Sequence, residues 1–254
     1  MDRVINIYKK HGETPLQALE RYVASHPEYK GVKMTYAGRL DPMAEGVLIL
    51  LTGEKNKERE AYTGLPKDYE FDFVLGVETD TYDLLGKITG ATGAKNLSHE
   101  DIASALRKYS GTFEQAYPAY SSKVVDGKQL FEYARAGTIG KIVLPKHSVT
   151  VTSMELVGER SISRGDFLRE VVQAVESVTG DFRQKEIVTL WKKYIEDAPE
   201  NLTVYTARVS CGSGFYVRQL VSDIGRDLGT GAVTSRILRT RVGDFKIEDS
   251  LKNF

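Results

Sequence analysis

Strand-type and helix-type patterns follow one another along this chain without a regular strand–helix–strand alternation. Residues 69–75 place aromatic or apolar side chains at every second position, which is the pattern of a strand. By contrast, Thr14 and Pro15 have the spacing of a helix start, and apolar residues then recur every three or four positions. This irregular order favours an α+β fold with a largely antiparallel or mixed sheet.

The remaining elements follow from the same two periodicities and from turn residues. Further strands are predicted at 4–8, 47–51, 149–155 and 207–211, and further helices at 98–109 and 129–136. Another helix, carrying the apolar residues Leu220, Val221, Ile224 and Leu228, is predicted after the glycine-rich turn at 212–214. Residues 166–199 carry two helical patterns separated by Gly180, which predicts a helical hairpin.

Several classes of protein are excluded by simple counts. The chain of 254 residues has a single cysteine, Cys211, so it forms no internal disulfide, and its longest apolar run, 47–51, is too short to span a bilayer. The N-terminus lacks the apolar segment of a signal peptide, which predicts a cytoplasmic protein. The four histidines lie far apart, and we expect no metal and no cofactor.

Charge is balanced overall but uneven along the chain. The sequence has 35 Lys and Arg against 35 Asp and Glu, whereas residues 205–246 carry seven basic against three acidic residues. Such asymmetry permits a basic binding face, although exposed basic residues also commonly do no more than solvate a surface.

Three residues are candidates for a functional role, and each can also have a purely structural one. Asp41 lies in a loop before an apolar strand, where a carboxylate can act as nucleophile or base or can simply start a turn. Tyr69 can stack on a base or pack in the core. Arg218 lies within an apolar helical pattern, so it needs a buried partner such as Asp41 unless it reaches the surface.

Four segments together resemble one family, the TruB-type tRNA pseudouridine synthases. Residues 38–48 read Gly-Arg-Leu-Asp-Pro-Met-Ala-Glu-Gly-Val-Leu, similar to the family's catalytic loop, with Asp41 at its essential aspartate. Residues 67–69 resemble the segment whose tyrosine stacks on the target base. The stretches 117–137 and 211–218 also resemble family motifs, in the same order along the chain.

The resemblance implies a pseudouridine synthase fold, in which a curved mixed sheet with flanking helices surrounds a central catalytic cleft for a flipped-out nucleotide. It also implies one catalytic domain over residues 1–254, with the helical hairpin at 166–199 as an insertion. The family's C-terminal PUA domain is expected to be absent.

The resemblance further implies the site residues. Asp41, Tyr69 and Arg218 are the expected catalytic residues, with Arg218 paired to Asp41. Expected substrate-binding residues are Lys67, Tyr216, Leu238, Tyr36, Arg39 and Lys123. Tyr36 stands where many members have histidine, and Arg39 replaces a small residue. Phosphate contacts are expected from Arg226, Arg236, Arg239, Arg241, Lys123 and Lys128.

The implied activity is isomerisation of uridine 55 in the T loop of tRNA, with the tRNA T-stem loop as partner and no obligatory protein partner. Arg39 and the expected lack of a PUA domain leave an rRNA uridine as an alternative substrate. A catalytically idle RNA-binding or tRNA-folding module is a second alternative. A third is that the acidic residues 51–100 or the hairpin at 166–199 bind a protein partner, in which case deleting the hairpin would leave isomerisation intact.

Overall fold

The computed structural model describes residues 2–93 and 97–254. Its strands are β1 (Val4–Lys9), β2 (Met34–Ala37), β3 (Ala44–Thr52), β4 (Lys67–Leu75), β5 (Val77–Thr79), β6 (Ile88–Ala91), β7 (Gly111–Ala116), β8 (Val124–Val125), β9 (Lys128–Gln129), β10 (Lys146–Ser163), β11 (Asn201–Cys211), β12 (Ala232–Val242) and β13 (Phe245–Lys246). Its α-helices are α1 (Pro15–Ser25), α2 (Arg59–Gly64), α3 (His99–Arg107), α4 (Leu130–Arg135), α5 (Arg164–Glu176), α6 (Gln184–Asp197) and α7 (Val217–Leu228).

One large sheet organises the molecule. Nine of the described strands form it, in the order β1-β3-β12-β4-β11-β10-β7, with β2 paired to β3 and β13 paired to β12. Among the strands within residues 2–93 and 97–254, only β3 and β12 pair in parallel. The prediction of an α+β fold with a mostly antiparallel, mixed sheet is therefore confirmed.

Local sequence signals account for the helix starts. Thr14 accepts a hydrogen bond from the backbone N–H of Gln17, and the Gln17 side chain accepts one from the backbone N–H of Thr14. This reciprocal capping satisfies N–H groups that have no partner within α1. Ser98 and Asp101 cap α3 in the same way. Both helix starts were predicted from these residues.

The strand β4 lies at the centre of the sheet, between β12 and β11. Its aromatic residues Tyr69, Phe71 and Phe73 are buried, as the alternation predicts. Asp72 and Val74 on the opposite face are also buried, and Asp72 accepts a hydrogen bond from the Thr206 hydroxyl of β11 at 2.9 Å. The half-buried strand predicted from sequence is thus buried on both faces over its second half.

The strand β12 was not predicted. Its arginines Arg236, Arg239 and Arg241 interrupt the apolar alternation on which the sequence prediction depends. In the fold, each of these arginines forms an ion pair or hydrogen bonds with a neighbouring strand or loop, which compensates for placing a charged side chain in the sheet. Tyr36, predicted to lie in the loop, instead belongs to β2.

The two helices predicted at 166–199 are α5 and α6, which pack against each other. Phe167 on α5 and Trp191 on α6 meet edge to face, with ring centroids 5.9 Å apart, and both side chains are fully buried. None of the helices that the structure describes is long and apolar enough to cross a membrane.

Candidate active site

A cavity of about 1130 Å³ opens on one side of the sheet. Loop, strand and helix segments distant in sequence meet around it. Its walls include residues from the loop at 38–42, from the start of β4, from 80–87 and 120–122, from 181–183 between α5 and α6, and from 213–218 at the start of α7. Most of the residues expected at the site line this cavity.

Asp41 and Arg218 form an ion pair in the cavity. The Arg218 Nε donates to Asp41 Oδ2 at 2.7 Å, across 177 positions of sequence. The Arg218 side chain is 3% exposed and that of Asp41 is 38% exposed, so the guanidinium lies beneath the carboxylate and leaves it open to the cavity. The pairing that the resemblance implied is present.

The other nitrogens of Arg218 are also occupied. One Nη atom donates to the carbonyl oxygen of Thr81 at 2.6 Å, and the other donates to that of Tyr120 at 3.3 Å. Burial alone would lower the pKa of Arg218, but Asp41 and Asp83 outweigh it and raise the pKa above its ordinary value. The guanidinium is therefore a permanently charged and rigidly oriented partner for Asp41.

Asp83 is a second carboxylate beside Arg218, and the sequence reasoning missed it. Its Oδ2 lies 3.6 Å from the Arg218 Nε, and its side chain is 5% exposed. Its Oδ1 accepts hydrogen bonds from the Thr81 hydroxyl at 2.5 Å and from the Leu85 N–H at 3.0 Å. Burial raises the pKa of Asp83 to about 6, against the opposing effect of Arg218. In the sequence, the one feature that could have pointed to a buried carboxylate here is that Asp83 directly precedes two leucines.

Two buried cations hold the loop that carries Asp41. Arg239, on β12, is fully buried and donates to the carbonyl oxygens of Val47 at 2.8 Å and Gly38 at 3.1 Å. Lys9, on β1, is also fully buried and donates to the carbonyl oxygen of Ala44 at 2.5 Å. Burial lowers the pKa of Lys9 to about 7. The loop is thus held by hydrogen bonds from two strands, β1 near the N-terminus and β12 near the C-terminus.

The expectation that Arg239 contacts phosphate is therefore wrong, because its side chain is inside the protein. Three other arginines on that list are occupied by acidic partners. Arg236 pairs with Glu70, Arg241 pairs with Asp68, and Arg226 pairs with Asp223. The side chains of these three arginines are partly exposed to solvent, whereas Arg239 donates its hydrogen bonds to the loop that carries Asp41.

Aromatic and basic residues line the walls near Asp41. Tyr69 is 8% exposed, and burial raises its pKa to about 12, so its hydroxyl stays protonated at neutral pH. Burial likewise raises the pKa of Tyr216 to about 12. The Lys67 ammonium donates to the carbonyl oxygens of Thr63 at 2.7 Å and Leu65 at 2.5 Å, and burial lowers its pKa to about 8.

Two of the expected substrate-binding residues lie outside the cavity wall. Leu238 was expected to supply an apolar contact, but Ile237 and Arg239 line the cavity, because side chains alternate between the two faces of β12. Lys123 also lies outside the lining, with its ammonium 5.1 Å from the centroid of the Tyr117 ring. Contact of either side chain with the substrate stays a prediction.

The remaining expected residues, Tyr36, Arg39, Lys67 and Tyr216, line the cavity together with Asp41, Tyr69 and Arg218. Sequence reasoning also missed Ser121, whose buried hydroxyl lines the cavity without a hydrogen-bond partner in the described part of the chain.

Neither a metal site nor a reactive thiol accompanies this arrangement in the described ranges. Within residues 2–93 and 97–254, no group of three or more His, Cys, Asp and Glu side chains is arranged to hold a metal ion. Cys211 is buried, as expected, and burial raises its pKa to about 12.

Comparisons with known proteins agree with this geometry. Residues 27–164 match the model of the N-terminal domain of the TruB family of pseudouridylate synthases. Proteins named tRNA pseudouridine synthase B are similar along most of the chain. The one from Aromatoleum aromaticum is 32% identical over 99% of this chain and 66% of its own length, and the one from Bacteroides thetaiotaomicron is 31% identical over 87% of this chain and 76% of its own length.

Solved structures share the fold. A chain in the crystal structure of a Cbf5-Nop10-Gar1 complex aligns with a TM-score of 0.58 and 20% sequence identity, over 98% of this chain and 51% of the other. A chain in an H/ACA RNP bound to a substrate RNA containing 2′-deoxyuridine aligns with a TM-score of 0.54. This chain thus spans about half the length of those chains and roughly two thirds to three quarters of the two curated relatives.

Proposed function

Because the chain belongs to the TruB family of pseudouridylate synthases, we propose that it converts uridine 55 in the T loop of tRNA to pseudouridine, with Asp41 as the catalytic carboxylate. The observation that carries the proposal is the ion pair of Asp41 with the buried Arg218. It leaves one carboxylate oriented and open to a cavity large enough for a nucleotide. The names of the relatives, tRNA pseudouridine synthase B, support tRNA as the substrate.

The reaction requires little beyond a positioned carboxylate. The bond between N1 of uracil and C1′ of ribose breaks, the base turns, and C5 is joined to C1′. C5 then loses its proton and N1 gains one, so that the product is an isomer of the substrate. Asp41 acts on the sugar, either as a nucleophile or as a base at the 2′ carbon, and both courses use its ionised form. The Arg218 guanidinium, within hydrogen-bond distance, orients this carboxylate towards the cavity.

The cavity walls suit a base that has left its stack. Tyr69 stacks on the extruded uracil, and Tyr216 and Ile237 enclose it. Extrusion costs a few kcal/mol, which stacking and pocket contacts offset. Exposed Arg39 at the cavity, together with Lys128 and Arg226 nearer the surface, contacts the RNA backbone and positions the strand. Single-domain organisation over residues 1–254, with an insertion at 166–199, and a cytoplasmic location remain predictions.

Asp41→Asn tests the proposal directly. Release of tritium from C5 of labelled uracil in an unmodified tRNA transcript should fall by about 10³-fold or more, because general base or nucleophilic catalysis is lost. Binding of the same RNA should stay within about threefold, because the carboxylate serves chemistry rather than affinity. Asp244→Asn, which changes an exposed aspartate, should leave both quantities unchanged.

Matched transcripts separate the alternatives. A tRNA with cytidine at position 55 should release no tritium if that uridine is the target. Release from rRNA but not from tRNA would replace the proposed substrate. Tight tRNA binding by the wild-type protein without release from either RNA would favour the idle RNA-binding module.

A further inference from the structure

The helical hairpin of α5 and α6 reaches the cavity. The match to the TruB family model ends at residue 164, where α5 begins, so the hairpin lies beyond the matched segment. The turn between the helices nevertheless contributes Asp181, Phe182 and Arg183 to the cavity wall. A part of the chain that sequence reasoning assigned to no site thus borders Asp41.

Arg183 is held in place at the cavity. Its Nη1 lies 2.6 Å from Asp80 Oδ2, and its guanidinium lies 5.0 Å from the centroid of the Tyr120 ring. The Tyr120 hydroxyl donates to the same Asp80 oxygen at 3.0 Å. Arg183 also has a φ of +63°, a left-handed conformation that is unfavourable for non-glycine residues and persists where surrounding contacts hold it.

The two segments that Arg183 contacts, at Asp80 and at Tyr120, also carry the carbonyl oxygens that accept hydrogen bonds from Arg218. The Tyr120 carbonyl oxygen accepts a hydrogen bond from one Arg218 Nη atom at 3.3 Å. The Thr81 carbonyl oxygen, directly after Asp80, accepts one from the other Nη atom at 2.6 Å. Movement of the segments at 80–81 or at 120 therefore changes the orientation of Arg218 under Asp41.

The same turn also touches the support of the catalytic loop. Ser177 Oγ lies 2.9 Å from His11 Nδ1, and the residue after His11, Gly12, donates its N–H to the carbonyl oxygen of Pro42 at 2.9 Å. Residues 177–186 thus contact both the side of the cavity that holds Asp41 and the side that holds Arg218. An appendage that only bound a protein partner would not need contacts on both sides.

We propose that Arg183 is a positioning residue of the active site, which acts through Asp80 and Tyr120 to orient Arg218 beneath Asp41. This inference rests on the proposed function. It also opposes the sequence-based alternative that the hairpin serves a protein partner and can be deleted without loss of isomerisation.

Single-turnover kinetics test the inference with Arg183→Gln, Arg183→Lys and a control, Arg169→Gln. Arg169 lies on α5 of the same hairpin, in an exposed ion pair with Asp166. We expect the rate at saturating tRNA to fall by about tenfold in Arg183→Gln, because misorientation of the catalytic pair slows chemistry. RNA affinity should stay within about threefold, Arg183→Lys should recover part of the rate, and Arg169→Gln should match the wild type.

Asp80→Asn shows through which residue Arg183 acts. If Arg183 works through Asp80, the double variant should be no slower than the slower single variant, because both substitutions break one unit. If the rate decreases of the two single variants instead multiply in the double variant, the inference is overturned. Weaker RNA binding with an unchanged saturating rate would also overturn it, since that result describes a phosphate contact rather than a positioning residue.

A readout without RNA separates this inference from the proposed function. The Nε–H of Arg218 in the isotopically labelled protein reports its bond to Asp41, and its NMR signal can be assigned with Arg218→Lys. Its exchange with solvent should quicken by about tenfold in Arg183→Gln and stay unchanged in Arg169→Gln. Unchanged exchange in Arg183→Gln would overturn the inference. A wild-type protein that forms no pseudouridine would overturn the proposed function alone.

Discussion

At the scale of single residues, the charge balance around Arg218 separates two carboxylates by their exposure. Asp41 is 38% exposed and faces the cavity, whereas Asp83 is 5% exposed and lies behind the guanidinium. Both share one cation, and only Asp41 is accessible to a substrate. Asp83 therefore acts as a fixed partner that keeps Arg218 in place, and Asp41 is the carboxylate available for chemistry.

Asp83→Asn should change how stability depends on pH. Burial raises the pKa of Asp83 to about 6 in the folded protein, whereas the unfolded carboxyl titrates near about 4. The folded state thus binds this proton more tightly. The stability that this contributes is complete below about pH 4 and is lost as the pH rises to about 6.

Urea unfolding between about pH 4 and pH 7 measures this difference. The wild type should lose on the order of 3 kcal/mol relative to Asp83→Asn across the window from about pH 4 to pH 6. Asp244→Asn serves as an exposed control and should follow the wild type. Parallel curves for Asp83→Asn and the wild type would show that Asp83 keeps an ordinary pKa in the fold.

At the scale of elements, the turn that leads into α7 determines the position of Arg218, which lies in the first turn of that helix. Tyr216 precedes the helix and has no side-chain cap of its own. Instead, Gln115 on β7 accepts from the Tyr216 N–H at 2.8 Å and donates to the Tyr216 carbonyl oxygen at 3.1 Å. Because Gln115 is 1% exposed, these two bonds are shielded from water and fix the turn two residues before Arg218.

Gln115→Met should therefore lower both stability and activity. It keeps the length of the side chain but leaves the buried Tyr216 N–H without its partner, at a cost of about 1–3 kcal/mol, whereas the Tyr216 carbonyl oxygen still accepts from the Leu220 N–H at 3.1 Å. We expect a decrease of about tenfold in the saturating rate of pseudouridine formation, because Arg218 moves with the turn. Thr112→Ala, on the exposed side of β7, should change neither quantity. Lost stability with an unchanged rate would show that the turn does not orient Arg218.

At the scale of the whole molecule, the parallel pairing of β3 with β12 joins the early part of the chain to its end. Gly46 on β3 lies opposite Arg239 on β12. Its φ of +107° suits only glycine, and a Cβ atom there would collide with the carbonyl oxygen of Arg239. The close approach of these two backbones allows the Arg239 side chain to reach the loop that carries Asp41.

Gly46→Ala should be strongly destabilising, because it combines an unfavourable φ with this backbone collision. We expect a cost of about 3 kcal/mol or more, and a melting temperature lower by about 10 °C. Gly64→Ala is the matched control, since a Cβ atom at Gly64 would meet no atom within 4 Å. It should lie within about 0.5 kcal/mol of the wild type. Equal melting temperatures for the two variants would contradict the close packing of β3 on β12.

The sequence by itself was sufficient for features that depend on near neighbours. The capped start of α1 at Thr14, the strand β4 around Tyr69 and the α+β class follow from residues a few positions apart, because hydrogen-bonded caps and side-chain periodicity are local. The proposed catalytic role of Asp41 rests on a motif that resembles a family's, because the loop sequence alone is equally compatible with a turn.

Only the tertiary structure decided which charges meet. Arg239 was expected on the surface and is buried against Gly38, about 200 positions away, and Asp83 was overlooked until Arg218 was found beside it. Leu238 and Ile237 are adjacent in sequence, and the pairing register of β12 decides which one faces the cavity. Partners, burial and register depend on strands brought together from distant parts of the chain, and no local pattern in the sequence records that arrangement.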